Sequence, residues 1–177
     1  SSDLKQPQKW QLEQLRKIGK GLEAPNEVIR QAVASGHGIG KSTLVAWLIL
    51  WAISTYPDTR GVVTANTETQ LRTKTWPELS KWYYRFIGKE LFCLTATSLF
   101  SIQQGHERTW RIDAIPWSPI NTEAFAGLHN QGNRILLVFD EASAIDDRIW
   151  EVSEGAMTDA DTEIIWTAYG NPTRNTG

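Results

Sequence analysis

Three glycines, Gly36, Gly38 and Gly40, lead directly into Lys41, Ser42 and Thr43. Residues without a Cβ let backbone N–H groups approach anionic oxygens closely. A lysine at the end of such a loop reaches phosphate, and the hydroxyl after it suits a divalent cation. The stretch SGHGIGKST matches the second half of the phosphate-loop pattern G-x-x-x-x-G-K-[ST] at Gly40, Lys41 and Ser42, while Ser35 stands where the pattern has its first glycine. Gly36 and Gly38 supply the missing freedom. The candidate phosphate-binding residues are Gly36, His37, Gly38, Ile39, Gly40, Lys41, Ser42 and Thr43. A dinucleotide fingerprint is excluded, because it needs glycine where Lys41 stands. The bland alternative, a glycine-rich turn beside a structural lysine, is disfavoured by the strand pattern before the loop and the apolar helix pattern after it.

A second constellation lies about a hundred residues on, where the apolar run Ile135 to Phe139 ends in Asp140 and Glu141. Carboxylates at the carboxyl tip of a buried strand stand where open α/β sheets bind ligands. Asp140 is the candidate to share a Mg2+ ion with Ser42, and Glu141 the candidate base for an attacking water. Read alone, the pair is two solvated acids. Another apolar strand, Glu163 to Tyr169, runs into Gly170-Asn171-Pro172. Asn171 is thereby a candidate contact to the terminal phosphate or the water, although most Asn-Pro dipeptides are ordinary turns.

These residues need a frame. Val28 to Ala34 reads as a strand in at least its second half, and Ser42 to Tyr56 as a helix apolar on nearly every side, stopped by Pro57-Asp58. Arg60 to Ala65 is a second buried strand. Glu68 to Phe92 has helical spacing, with Pro77 opening a second helix whose face is Leu79, Trp82, Tyr83, Phe86, Ile87 and Leu91. Lys81, Arg85 and Lys89 line another, solvated face, with DNA or subunit contact as the alternative. Short strands are expected within Leu91 to Ala96, Leu99 to Gln103 and Thr109 to Ile115, with a hairpin turn at Gly105-His106-Glu107. Leu12 to Leu22 and Asp146 to Met157 have helical patterns, and Pro116 to Gly132 reads as loop.

The 177 residues suffice for one domain with a sizeable core, and a net charge of -2 supplies no global basic field. The single cysteine, Cys93, excludes an internal disulfide and fits a reducing cytoplasm. His37, His106 and His129 are too scattered for a local zinc motif. The longest apolar run, Leu44 to Ile53, is about half the length that a membrane-spanning helix needs.

With these residues in view, the sequence resembles the ATPase domain of the large terminase subunit, the DNA-packaging motor of tailed bacteriophages and prophages. The resemblance rests on SGHGIGKST, on Thr64 to Trp82, on Phe125 to Ser143 and on the closing AYGNPTRNTG. It implies an α/β, RecA-like (ASCE) P-loop NTPase with a mostly parallel central sheet flanked by helices and a small antiparallel extension. Residues 1–177 would form a single ATPase domain, with 1–27 an adenine-side segment and 28–177 the P-loop core, and the family's nuclease domain would lie beyond this chain. Lys41 and Ser42 would be the Walker A residues, Asp140 the Walker B acid, Glu141 the catalytic glutamate and Asn171 part of the coupling segment. Gln11, or else Gln8, would read adenine beside Trp10. The implied cofactors are ATP and Mg2+. The implied partners are double-stranded DNA, portal or procapsid, the small terminase subunit and further copies in a ring, all in the host cytoplasm. The trans-acting arginine stays open among Arg108, Arg111, Arg134 and Arg148. Two other readings stand beside this one, a superfamily 2 helicase and a nucleotide-binding scaffold that does not hydrolyse.

Overall fold

The computed structural model describes residues 28–34, 39–65, 67–116, 133–140 and 162–170. The expected helices over Leu12 to Leu22 and Asp146 to Met157, and the loop from Pro116 to Gly132, lie almost wholly outside them.

Among the described residues, seven strands form one sheet. They are β1 (Val28–Ala34), β2 (Arg60–Ala65), β3 (Phe92–Leu94), β4 (Ser98–Ser101), β5 (Arg111–Ala114), β6 (Arg134–Asp140) and β7 (Glu163–Gly170). Their order across the sheet is β1-β7-β6-β2-β5-β4-β3. From β1 to β5 every pairing is parallel, and the β5-β4-β3 end is antiparallel. This is a mostly parallel α/β sheet with a small antiparallel extension, the RecA-like arrangement. All seven residues of β6 are buried, as a continuous apolar run in the middle of a parallel sheet requires. β2 is equally central, and there Gly61 lies so close to β6 that a Cβ would sit 2.9 Å from the Leu136 carbonyl oxygen.

Helix α1 (Ile39–Thr55) follows the glycine loop. Leu44, Leu48, Ile49, Ala52 and Ile53 are fully buried, and each large side chain among them is worth about 1.5–3 kcal/mol of burial. The helix sits against one face of the sheet and against a second helical rod. That rod is built from α2 (Glu68–Gln70), a π-helical turn (Leu71–Thr75) and α3 (Trp76–Tyr83). Trp47 of α1 meets Trp82 of α3 edge to face at 5.2 Å.

Pro77 falls in the first turn of α3, as expected, but α3 continues the π turn just ahead of it without a break. Proline has no N–H to donate and its ring crowds the carbonyl four residues back, and widening the turn relieves both. The rod also ends at Tyr83, well short of Phe92. Leu79, Trp82 and Tyr83 are buried as expected, but Ile87 is 98% exposed and Leu91 62% exposed, because the chain has left the helix before reaching them. The rod closes on Tyr83, whose hydroxyl donates to the carbonyls of Lys89 and Phe92 at 3.0 and 2.8 Å.

The hairpin between β4 and β5 turns at Gly105, φ 85°, where the expected turn falls. Asp58 anchors that hairpin to the α1–β2 turn by accepting from Thr109 at 3.0 Å and meeting His106 Nδ1 at 2.6 Å. No helix among the described residues is long and apolar enough to cross a membrane.

Candidate functional site

Parallel pairing gathers the chemistry at one edge. Ala34, at the end of β1, is in register with Gly170 at the end of β7; Phe139 of β6 pairs with Ala168 of β7; Asp140 pairs with Ala65 at the end of β2. The carboxyl ends of four strands therefore share one edge, with β7 standing between the strand that leads into the glycine loop and the strand that ends in Asp140. Only four residues, 35–38, separate Ala34 from the first residue of α1, so α1 starts at that same edge.

The backbone places Ile39, Gly40 and Lys41 in the first turn of α1, so the helix begins earlier than the sequence suggested. Ser42 is half-buried and Thr43 buried behind them. The 17-residue helix has no acidic residue in its first turn, leaving the positive end of its dipole available to an anion. Thr43 Oγ1 donates to Glu78 Oε1 of α3 at 3.0 Å, and the same oxygen accepts from Trp82 Nε1 at 2.9 Å.

Asp140 is 3% exposed, and its Oδ2 accepts from Thr75 Oγ1 at 2.6 Å, from the last residue of the π turn. Asp140 shares a sheet face with Leu136 and Val138 by strand alternation, the face that α1 and the rod cover. A hydroxyl from Ser42 and a carboxylate from Asp140 are the hard oxygen donors that Mg2+ takes alongside phosphate and water. The dipole end of α1 fits a polyphosphate, so the residues present fit both groups.

Gly36, His37, Gly38, Glu141, Asn171, Trp10 and Gln11 lie outside the described residues. Of the four arginines left open for a trans-acting role, Arg148 is outside them as well. Arg134 is withdrawn from that role by its position. It is 4% exposed at the opposite, amino edge of the sheet, pairs with Glu163 at 3.0 Å, donates to the Ala52 carbonyl at 2.8 Å and lies over the rings of Trp51 and Tyr56. Arg111 is held by Asp113 and Ser98.

Thr75 and Glu78 were not expected at the site. A signal for Thr75 was present: Leu71, Thr75, Leu79 and Tyr83 recur every four residues, and a polar residue in that apolar series asks for a buried partner. Glu78 carried no comparable signal, since an acid in the first turn of a helix is ordinary.

No family model matches the chain. A "Probable terminase, large subunit" of Enterobacteria phage P7 is 30% identical over 151 residues, which cover 82% of this chain and 29% of that protein. The chain thus spans under a third of the length of this relative. Among solved structures, the large terminase of bacteriophage HK97 aligns with a TM-score of 0.66 at 13% identity, over 94% of this chain and 33% of the other. The large terminase ATPase domain of Thermus phage P74-26 aligns at 0.58 and 18% identity, over 91% and 64%. A large terminase from a thermophilic bacteriophage, solved in complex with ADP, aligns at 0.60 and 12% identity, over 92% and 39%. At these identities the structural likeness concerns the fold.

Proposed function

We propose that the chain is the ATPase segment of a phage large terminase, an ATP-hydrolysing motor segment that couples hydrolysis to movement of double-stranded DNA into a procapsid; its likeness to a probable large terminase subunit and its fold, shared with terminase ATPase domains, support this reading. The single observation that supports this best is the shared edge: the loop into α1, the tip of β6 at Asp140 and the end of β7 at Gly170 lie side by side.

In this reading Lys41 and the first-turn N–H groups of α1 bind the phosphates and balance charge that grows in the transition state. Ser42 and Asp140 hold Mg2+, which supplies Lewis acidity at the phosphate oxygens when bound. Glu141, one residue past the end of β6, orients the attacking water and takes its proton. Asn171, one residue past the end of β7, responds to loss of the terminal phosphate and passes that change to the DNA-moving parts of the complete protein. Gln11 and Trp10 receive the adenine. The DNA, procapsid, small-subunit and ring partners belong to the complete protein acting in the host cytoplasm, and this segment alone is expected to turn over slowly.

The test is ATP turnover by the wild-type chain and by Lys41→Ala, with ADP binding followed in parallel. Turnover in the variant should fall by on the order of 100-fold or more. Full turnover by Lys41→Ala would place the chemistry elsewhere. For the coupled activity, full-length protein with procapsid and DNA should hydrolyse ATP much faster than the segment alone.

A further inference from the structure

The rod from Glu68 to Tyr83 touches the candidate site twice, through Thr75 on Asp140 and through Glu78 on Thr43. Neither contact is incidental to the shape of the rod. Between Leu71 and Thr75 the helix is π-wound, and the N–H of Trp76 bonds to the Leu71 carbonyl five residues back. Such a turn inserts one residue and rotates everything beyond it by roughly 100°. Thr73 Oγ1 bonds back to the Thr69 carbonyl at 2.7 Å within the same stretch, a contact that bends helices. With the π turn in place, Thr75 is 4% exposed against the sheet while Pro77 is exposed on the outside.

We propose that Thr75 is a positioning residue for the divalent cation, its hydroxyl fixing the Asp140 carboxylate in one orientation, and that the π turn exists to aim it there. The inference rests on the assignment of Asp140 as a cation ligand. A 2.6 Å hydrogen bond into a buried carboxylate engages Oδ2 and so restrains the plane of the carboxylate at the tip of β6. Bonds of this kind behind a metal ligand set its orientation and typically change cation affinity 10–100-fold when removed. Glu78 accepts from Thr43 near the start of α1, so the same rod contacts both halves of the site.

The experiment compares wild type, Thr75→Val and Thr75→Ser. Valine keeps the shape and loses the donor; serine restores the donor. Mn2+ binding in the presence of ADP is read by electron paramagnetic resonance, alongside the Mg2+ dependence of ATP turnover and a thermal melt. Thr75→Val should bind Mn2+ about 10-fold more weakly and need correspondingly more Mg2+ for half-maximal turnover, with turnover at saturating Mg2+ reduced much less. Thr75→Ser should return to within about 3-fold of wild type. If the valine chain does not fold, Thr75→Cys, similar in size with only a weak donor, carries the same expectation. Unchanged Mn2+ affinity in a folded Val or Cys variant would overturn the role of Thr75. Failure of wild type itself to bind Mn2+ with ADP would instead overturn the reading of the site on which this inference rests.

Discussion

Arg134 and Glu163 open β6 and β7 side by side, in register, and join Nε to Oε2 at 3.0 Å at the sheet edge opposite the candidate site. The arginine also donates to the Ala52 carbonyl in the last turn of α1, so one side chain ties the end of that helix to two strands. The helix that starts at the candidate site is thus pinned by its far end.

Removing that side chain should be costly. Arg134→Ala leaves Glu163 largely buried without its partner and uncovers Trp51 and Tyr56, and a loss of about 3–5 kcal/mol is expected in urea unfolding. Turnover measured well below the melting temperature should fall far less than in Lys41→Ala, because Arg134 stands at the opposite edge. A folded Arg134→Lys chain that lost all ATP turnover would contradict this.

At Gly61 the packing of β2 against β6 leaves no room for a side chain. Alanine there would bring its Cβ within 2.9 Å of a backbone carbonyl and 3.1 Å of Ile112 Cγ1, which only movement of the strands relieves. Gly61→Ala should destabilise by about 1–3 kcal/mol. A urea midpoint equal to that of wild type would show that the sheet yields there freely.

The Tyr83 hydroxyl predicts a pH dependence. Burial is the main cause raising its pKa above the ordinary value of 10.0, with Cys93, Tyr84 and Glu90 adding to the shift. The folded state therefore favours the neutral phenol. Its contribution is fully present below the unfolded-state value and is lost as pH rises through the higher folded-state value. Tyr83→Phe should cost about 1 kcal/mol near neutral pH by removing the donor to the Phe92 carbonyl. The stability gap between the two proteins should then narrow above about pH 10. Denaturant titrations across that range would reveal a constant gap if the hydroxyl carries no such linkage.

Glu78 should show itself in nucleotide affinity. Glu78→Ala removes the acceptor for both Thr43 and Trp82, and ADP affinity by calorimetry should drop several-fold, with about 1–2 kcal/mol lost in stability. Glu78→Gln keeps an acceptor oxygen and should stay near wild type. Equal affinities for all three would mean that the first turn of α1 holds itself.

By itself the sequence determined the local elements and the residue types of the site. Ile135 to Phe139, apolar over a short length and β-branched in part, reads as a buried strand, and Gly40-Lys41-Ser42 before a greasy helix matches a phosphate-loop pattern. It also carried the resemblance to large terminases, through motifs spread along the chain. What only the tertiary structure decided is adjacency. Strand order depends on long-range pairing that no local period encodes, so it could not be read that β7 lies between β1 and β6 or that β2 stands on the far side of β6. Helical spacing continued past Tyr83 on paper, while the chain there leaves the helix and exposes Ile87. Arg134 was one of four equivalent arginines in sequence and becomes a buried strut once β6 and β7 pair. Thr75 was one polar residue in an apolar series until the π turn carried it onto Asp140, 65 residues away in the chain and 2.6 Å away in space.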